Sequence, residues 1–288
     1  MNPLATWLSS AVVLAALYWP LEWAWPAREG QPRLRPRLAT DFLFFTGQYL
    51  AWNTLAVGLL VLLRARVDTA GLFEGLRGMV ARQPFGLQAV EALLLGDLSV
   101  YWFHRASHRF EFLWRFHAVH HTAETLDWVA AHREHPVDGL LTQLALNLPG
   151  LLMGFDFATL SSFSMLRGLW AIFIHSNVRL PLGPLAWLLG SPQWHRWHHA
   201  KHPGAVANFA NLAPWCDVLF KTHHPGVQGD ERFELGVPEV WPSSYPAQLL
   251  APLIPRIWWP RIFGLPPAVA SRDSIALACS TPASTPPR

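Results

Sequence analysis

Charge is scarce in this chain: Asp, Glu, Lys and Arg make up only 14% of its 288 residues. An ordinary soluble domain carries about 25%, so this scarcity argues against a typical soluble protein. Cysteine is nearly absent. The two copies, Cys216 and Cys279, lie far apart, which excludes a disulfide framework and any cysteine-based zinc motif. A reducing, cytosol-facing environment is consistent with that. There is no phosphate-binding glycine loop and no His-Glu-x-x-His zinc-peptidase pattern. Nothing in the chain suggests an acyl-transfer triad. The net charge of +3, with His counted neutral, is too small to argue for nucleic acid. It reads better as arginine biased to one side of a membrane.

What is abundant is apolar and aromatic. Hydrophobic residues make up 51%, and there are 16 Trp, a residue that collects at membrane–water interfaces. About 20 apolar residues span a bilayer. Runs of that kind occupy residues 4–25, 42–63 and 85–103, and residues 140–174 read as a hairpin broken near 154–156. No basic residue precedes the first run, so it is expected to remain as a span and not as a cleaved signal peptide. Arg28, Arg33, Arg35 and Arg37 follow it and place the first loop in the cytoplasm. Arg64, Arg66, Arg77 and Arg82 oppose that assignment, and the basic residues among the histidines favour it. The expected fold is all-α: a polytopic membrane helical bundle of about four to five membrane helices and hairpins, with a cytosolic, histidine-rich helical cap. Within the 140–174 hairpin, Arg167 either snorkels or faces a polar interior.

The other excess is histidine, with 14 copies. Eight fall in three short boxes: His104 and His108; His117, His120 and His121; His195, His198 and His199. Residues three and four apart share one face of a helix, so each box aims two or three imidazoles the same way. Isolated histidines are usually surface or core residues. Three boxes at helical spacing point instead to metal, with enough nitrogens for two ions and positions left open. All-imidazole sets suit iron, zinc, copper or nickel; a structural zinc site needs only four ligands, whereas two ions with open positions suit oxygen activation. The topology returns both ends of the box region to one membrane face.

The residues around the boxes carry a resemblance. The stretch DLSVYWFHRASH from Asp97, LWRFHAVHH from Leu113, REHP from Arg133, FIHSN from Phe173 and PQWHRWHH from Pro192, ending near Asn208 and at WCDVLFKT from Trp215, closely resemble the sterol desaturase/fatty acid hydroxylase superfamily. The likeness is strong over residues 90–224; the N-terminal helices match only in kind. The resemblance implies a membrane-bound di-iron centre using O2 to hydroxylate or desaturate a lipid of sterol or fatty-acyl type. It implies that the eight box histidines are metal ligands and catalytic, and that His175 is a further ligand; the residues themselves do not distinguish the two iron ions from zinc as a substitute. No cytochrome b5-like segment lies in these residues, so electrons are expected from a separate ferredoxin- or cytochrome b5-like donor.

The chain departs from the family pattern in places. Ala171 stands where one branch has a second histidine, and His135 is the candidate to replace that ligand. Asp138 replaces the usual Glu after His-Pro, and Lys221 replaces a Gly. His132, His202, His223 and His224 read mainly as ordinary surface or core residues. Asp97 and Asp217 either orient ligand imidazoles or serve as a helix charge and a cap. Asn177 is a candidate to hold a water or a ligand.

The expected organisation is N-terminal transmembrane helices (1–85), a hydroxylase-type catalytic domain (86–225), an interfacial C-terminal segment (226–266), with residues 249–263 as an interfacial helix, and a Ser/Thr/Pro/Ala-rich disordered tail (267–288). Two other classes use the same histidines: a membrane zinc-dependent hydrolase, and a metal-handling membrane protein. The latter needs ionisable groups along a mid-membrane path, whereas most histidines here sit at the ends of the apolar runs.

Overall fold

The computed structural model describes residues 2–71, 73–226 and 233–266. Among these residues the chain is helical, with two isolated β-bridges, Pro26 to Val178 and Ala200 to Leu235. The first half comprises α1 (Pro3–Ala24), α2 (Leu38–Gly47), a π-helical turn (Gln48–Trp52), α3 (Asn53–Thr69), α4 (Glu74–Ala81) and α5 (Phe85–Arg109). Then come α6 (Glu111–His121), α7 (Pro136–Met153), α8 (Phe157–His175), α9 (Ala186–Leu189), α10 (Pro192–His198), α11 (Trp215–Leu219), α12 (Tyr245–Leu250) and α13 (Trp259–Phe263).

Three described helical segments are long and apolar enough to cross a membrane: α1, the continuous α2–α3 segment and α8. The ends of α1 follow from local chemistry. Asn2 caps it by accepting from the Leu4 N–H at 2.9 Å, with Pro3 in the first helical position, where a missing N–H costs nothing. Its apolar side chains Leu14 and Tyr18 pack with Phe45 of α2, Trp128, and Ile172, Phe173 and Ile174 of α8. The Tyr18 hydroxyl donates to the Leu169 carbonyl at 2.6 Å, which spares that buried group an unpaired state.

The 140–174 region is a hairpin of α7 and α8, broken where expected. Gly154 ends α7 with φ of 94°, a conformation open to glycine at little cost. Asp156 then caps α8 by accepting from the Thr159 N–H at 2.7 Å. Close packing sets α7 beside α5: a Cβ at Gly96 would come within 2.9 Å of a Leu146 methyl carbon.

Arg167 faces the interior. It donates to Asp97 at 3.0 Å, and Asp97 also accepts from the Trp215 indole at 2.7 Å. A charged group is kept inside a membrane bundle by pairing of this kind. The C-terminal segment differs from the single interfacial helix expected over residues 249–263. Pro252, Pro255 and Pro260 cut it into α12, two 3-10 turns and α13, because each proline lacks a donor and clashes with the preceding turn. Its inward side chains Trp241, Ala251 and Trp259 pack against Phe44 of α2 and Ala118 and Val119 of α6. Burying a Phe or Val side chain contributes about 1.5–3 kcal/mol, so this segment clamps the histidine-bearing α6. Leu253, Ile257, Trp258 and Ile262 face outward. Cys216 is buried and free; Cys279 and the tail 267–288 lie outside the described residues.

Candidate metal centre

The structure draws nine histidines into two adjoining groups. His104, His108, His117, His121 and His198 form one; His120, His175, His195 and His199 form the other. Within each group every residue offers a ligand atom within 4.8 Å of the others. The groups touch: the rings of His121 and His199 stack with centroids 4.3 Å apart.

Helix geometry explains how each box is divided. Residues i and i+4 lie on nearly the same bearing, while i+3 points to the other side of i. His117 and His121 therefore join the first group while His120 joins the second. His195 and His199 join the second while His198 joins the first. The second and third boxes thus contribute to both groups, with α6 and α10 between them, whereas both histidines of the first box join the first group. His104 and His108 come from the end of α5, and His175 from the end of α8.

The ring orientations are fixed from behind. The Nδ1 of His104 lies 2.7 Å from the Phe209 carbonyl, that of His198 2.7 Å from Ala207, that of His120 2.9 Å from Arg133, and that of His175 2.6 Å from Ala171. The Nδ1 of His117 lies 2.9 Å from Asp138 Oδ2. An oxygen acceptor at Nδ1 requires an N–H there, so in a neutral ring Nε2 carries a lone pair.

Those lone pairs face one another. The Nε2 atoms of His120 and His175 are 2.9 Å apart, and those of His175 and His195 are 2.8 Å apart. His121 and His117 approach at 3.2 Å in the same way. His104, His108 and His198 each bury an Nε2 without a partner among the described residues. Two acceptors cannot share a hydrogen bond, and burial opposes protonation. It holds His198 down at about 3 and His120 at about 4, with the neighbouring His117 a second cause at His120. His121, His195 and His199 are likewise pushed down, first by burial. Converging buried lone pairs at this spacing fit cations bound by imidazole, with donors that suit iron or zinc.

His135 stands outside both groups. It caps α7, accepting at Nδ1 from the Val137 N–H at 3.1 Å, while Nε2 faces the Leu249 carbonyl at 3.1 Å. Asp97 serves Arg167 and not an imidazole. Asp217 acts one step away: it accepts from the Phe209 and Ala210 N–H groups, both at 2.8 Å, and so holds the loop whose carbonyl orients His104. Asn177 pairs with the backbone of Arg28, at 2.9 Å to its N–H and 3.2 Å to its carbonyl, and so fastens the loop after α1. His132 is buried against Phe45, with Nδ1 3.1 Å from the Trp128 carbonyl. His202 and His224 each accept from a backbone N–H two residues on, at 3.0 Å. His223 packs on Trp187 and Trp194.

Sequence reasoning missed the carboxylates that matter most. Asp138, noted only as a departure from a pattern, is the group behind His117. A buried ion network also supports the second group. Arg133, whose carbonyl holds His120, donates to Asp41 of α2 at 2.5 Å. Arg35 bridges Asp41 at 2.6 Å and Asp127 at 2.6 Å. No local motif announces this network, since Arg35–Asp127 and Asp41–Arg133 each join residues 92 positions apart; Asp41, a lone charge within the apolar α2, was the one available signal.

Three comparisons bear on this site. Residues 89–222 match the family model described as fatty acid hydroxylase. The chain is 29% identical over 171 residues to an ornithine lipid hydroxylase of Rhizobium tropici, covering 59% of this chain and 51% of that protein. It is 30% identical over 165 residues to an alkylglycerol monooxygenase of Danio rerio, covering 54% and 35%. It is 27% identical over 164 residues to a human lathosterol oxidase, covering 55% and 52%. The chain thus spans about half or less of the length of these curated relatives. No solved structure matches it.

Proposed function

From the match of residues 89–222 to the fatty acid hydroxylase family model, we propose that this chain is a membrane-bound oxidoreductase that hydroxylates or desaturates a C–H bond of a lipid. The nine clustered histidines would hold two iron ions, the first with His104, His108, His117, His121 and His198, the second with His120, His175, His195 and His199. Iron bound there would supply the activation of O2, which no amino-acid side chain provides. Electrons would come from a separate protein donor, and the basic loop that begins at Arg28 supports a cytoplasmic placement of the histidines, within that donor's reach. Relatives named for ornithine lipids, alkylglycerols and lathosterol support a lipid substrate.

The chain's own part is positioning and exclusion. Five Nδ1–H donors held by Asp138 and four backbone carbonyls fix the imidazoles before metal arrives, so little reorganisation is needed on binding. Burial of His199, His198 and His121 keeps bulk water from the centre, which protects a reactive oxidant from wasteful side reactions.

The observation that carries this reading is the convergence of buried imidazole Nε2 atoms, 2.8 to 3.2 Å apart, in two touching groups. Iron-loaded protein in lipid nanodiscs, given reductant and isotopically labelled O2, should place one labelled oxygen in a lipid product or introduce a double bond. Zinc-loaded protein that hydrolyses a lipid and incorporates oxygen from labelled water would instead establish the hydrolase reading.

A further inference from the structure

The first histidine group has an aromatic neighbour that metal binding does not use. Tyr101 lies three residues before His104 and seven before His108, so all three share one face of α5. The Phe209 ring contacts each of them. Its centroid lies 6.3 Å from Tyr101, 5.6 Å from His104, 5.3 Å from His108 and 5.7 Å from His198. Tyr101 also stacks with Phe220 at 5.2 Å and meets Trp102 at 5.5 Å. Tyr101 is fully buried, whereas Trp102 is 46% exposed. Ring contacts therefore run without a break from the first histidine group to the surface.

The Tyr101 hydroxyl carries a proton route. It lies 2.8 Å from Thr222 Oγ1, and the Thr222 hydroxyl donates to Asp217 Oδ1 at 2.7 Å. Thr222 has one hydrogen to give, so Tyr101 donates to Thr222. Burial pushes the Asp217 carboxyl up to about 6, toward taking a proton. Arg105 donates to the same phenol oxygen at 3.0 Å, and its guanidinium carbon lies 5.4 Å from the Trp102 ring centroid. A fixed positive charge beside both rings opposes a cationic radical on either. Loss of an electron from this pair is favourable only where the phenol proton leaves with it.

From this arrangement we propose that Tyr101 is a redox-active residue that discharges the centre when no substrate C–H bond is in reach. The inference rests on the lipid-oxidising reading for its oxidant, one strong enough to take hydrogen from an unactivated C–H bond. A phenol O–H bond is weaker than that bond. One electron passes from the Tyr101 ring to the oxidant, which is reduced by one electron. The phenol O–H bond breaks, its proton passes to Thr222 Oγ1, and the Thr222 proton passes to Asp217. Tyr101 is left as a neutral radical. A small one-electron reductant such as ascorbate returns the electron at the exposed Trp102, and the protons retrace their path. Two other oxidisable side chains lie near. Trp114 is 5.0 Å from the His108 ring, but its indole N–H has no acceptor among the described residues, so its oxidation would add positive charge beside bound cations. Cys216 packs with Tyr101 and Phe209, and burial pushes its thiol up to about 12, so it keeps its proton.

A photochemical oxidant tests the route apart from the oxygenase chemistry. Zinc has no redox chemistry, so the zinc-loaded full chain in detergent is oxidised by photogenerated tris(bipyridine)ruthenium(III) and frozen for electron paramagnetic resonance. The wild type should give a neutral tyrosyl signal, identified by its change when ring-deuterated tyrosine is incorporated. Tyr101→Phe should lose most of it. Should that variant not fold, the chain in which the other three tyrosines, Tyr18, Tyr49 and Tyr245, are replaced by Phe should keep the signal. Thr222→Val should lose the neutral radical and Thr222→Ser should restore it, a contrast that packing alone would not produce. Iron-loaded protein given reductant and O2 without lipid should show the same radical. In Tyr101→Phe, peptide mass spectrometry should then find more oxygen added to His104, His108 and Phe209 than in the wild type. A wild type without a tyrosyl signal, a signal unchanged by Tyr101→Phe, or oxidation confined to Trp114 or Cys216 would overturn the proposal. So would iron-loaded protein that oxidises lipid yet never forms the radical when lipid is withheld. A Tyr101 radical under photo-oxidation, in protein that neither consumes O2 nor oxidises lipid when iron-loaded, would fault the oxygenase reading alone.

Discussion

The two histidine groups share α6 and α10 yet are built differently. The first has five imidazoles and a carboxylate, Asp138, behind one of them. The second has four imidazoles, with only backbone carbonyls of Arg133 and Ala171 behind His120 and His175; His195 and His199 bury Nδ1 atoms without a partner among the described residues. A carboxylate behind a ligand raises its basicity and fixes its tautomer. On the proposed reading the first group would therefore hold its ion more tightly and with more donors, and the second, with fewer donors, would be the one with room for an exogenous ligand. The contrast teaches that nearly identical sequence boxes need not make equivalent sites, because what lies behind each ring comes from elsewhere in the chain.

The largest effect expected from breaking this asymmetry is at His120. His120→Ala removes one of four donors, so activity should fall to background and iron should drop toward one per chain, while membrane fractionation shows the protein still inserted by its apolar helices. His108→Ala leaves four donors in the first group and should retain more iron than His120→Ala; metal analysis of the two variants side by side decides it.

Asp41→Ala comes next. It leaves buried Arg133 without a carboxylate partner and Arg35 with Asp127 alone, and breaking a buried pair costs about 3–5 kcal/mol. Thermal unfolding should show that loss, and the second group should release metal to a chelator before the first does. Asp138→Asn has the opposite address: it should weaken metal at the first group by about 10- to 100-fold, read by competition with a chromophoric chelator, and leave the second group's affinity nearly unchanged.

The smallest effect concerns pH. Burial holds His132 at about 4, against 6.5 for a free imidazole. The unfolded chain then binds more protons than the folded one between those values, so the stability contribution is present above 6.5 and is lost as pH falls toward 4. His132→Phe should make the decline of Tm over that window shallower without altering iron content.

The parts legible in the sequence were those with local causes. Helical spacing made the boxes visible, and the hairpin break showed in Gly154 and Asp156. The apolar run at residues 4–25 nearly coincides with α1 (Pro3–Ala24). The division of His120 from His121, and of His198 from His199, depends on where neighbouring helices lie, so the boxes alone do not reveal it. His135 illustrates the limit from the other side: its chemistry suits a ligand, but its place before Pro136 makes it the cap of α7. The network of Arg35, Asp41, Asp127 and Arg133 joins three distant segments. The C-terminal segment misled because its Trp and Arg pattern suited an interface, while its prolines forbade one helix.

The central claim is that two adjoining metal sites, not one, are built from the three boxes and His175. The direct measurement is iron per chain in detergent-purified protein expressed with ample iron, for the wild type and for His120→Ala. Two irons in the wild type and about one in the variant is the expected result; one or none in carefully handled wild-type protein would contradict the account.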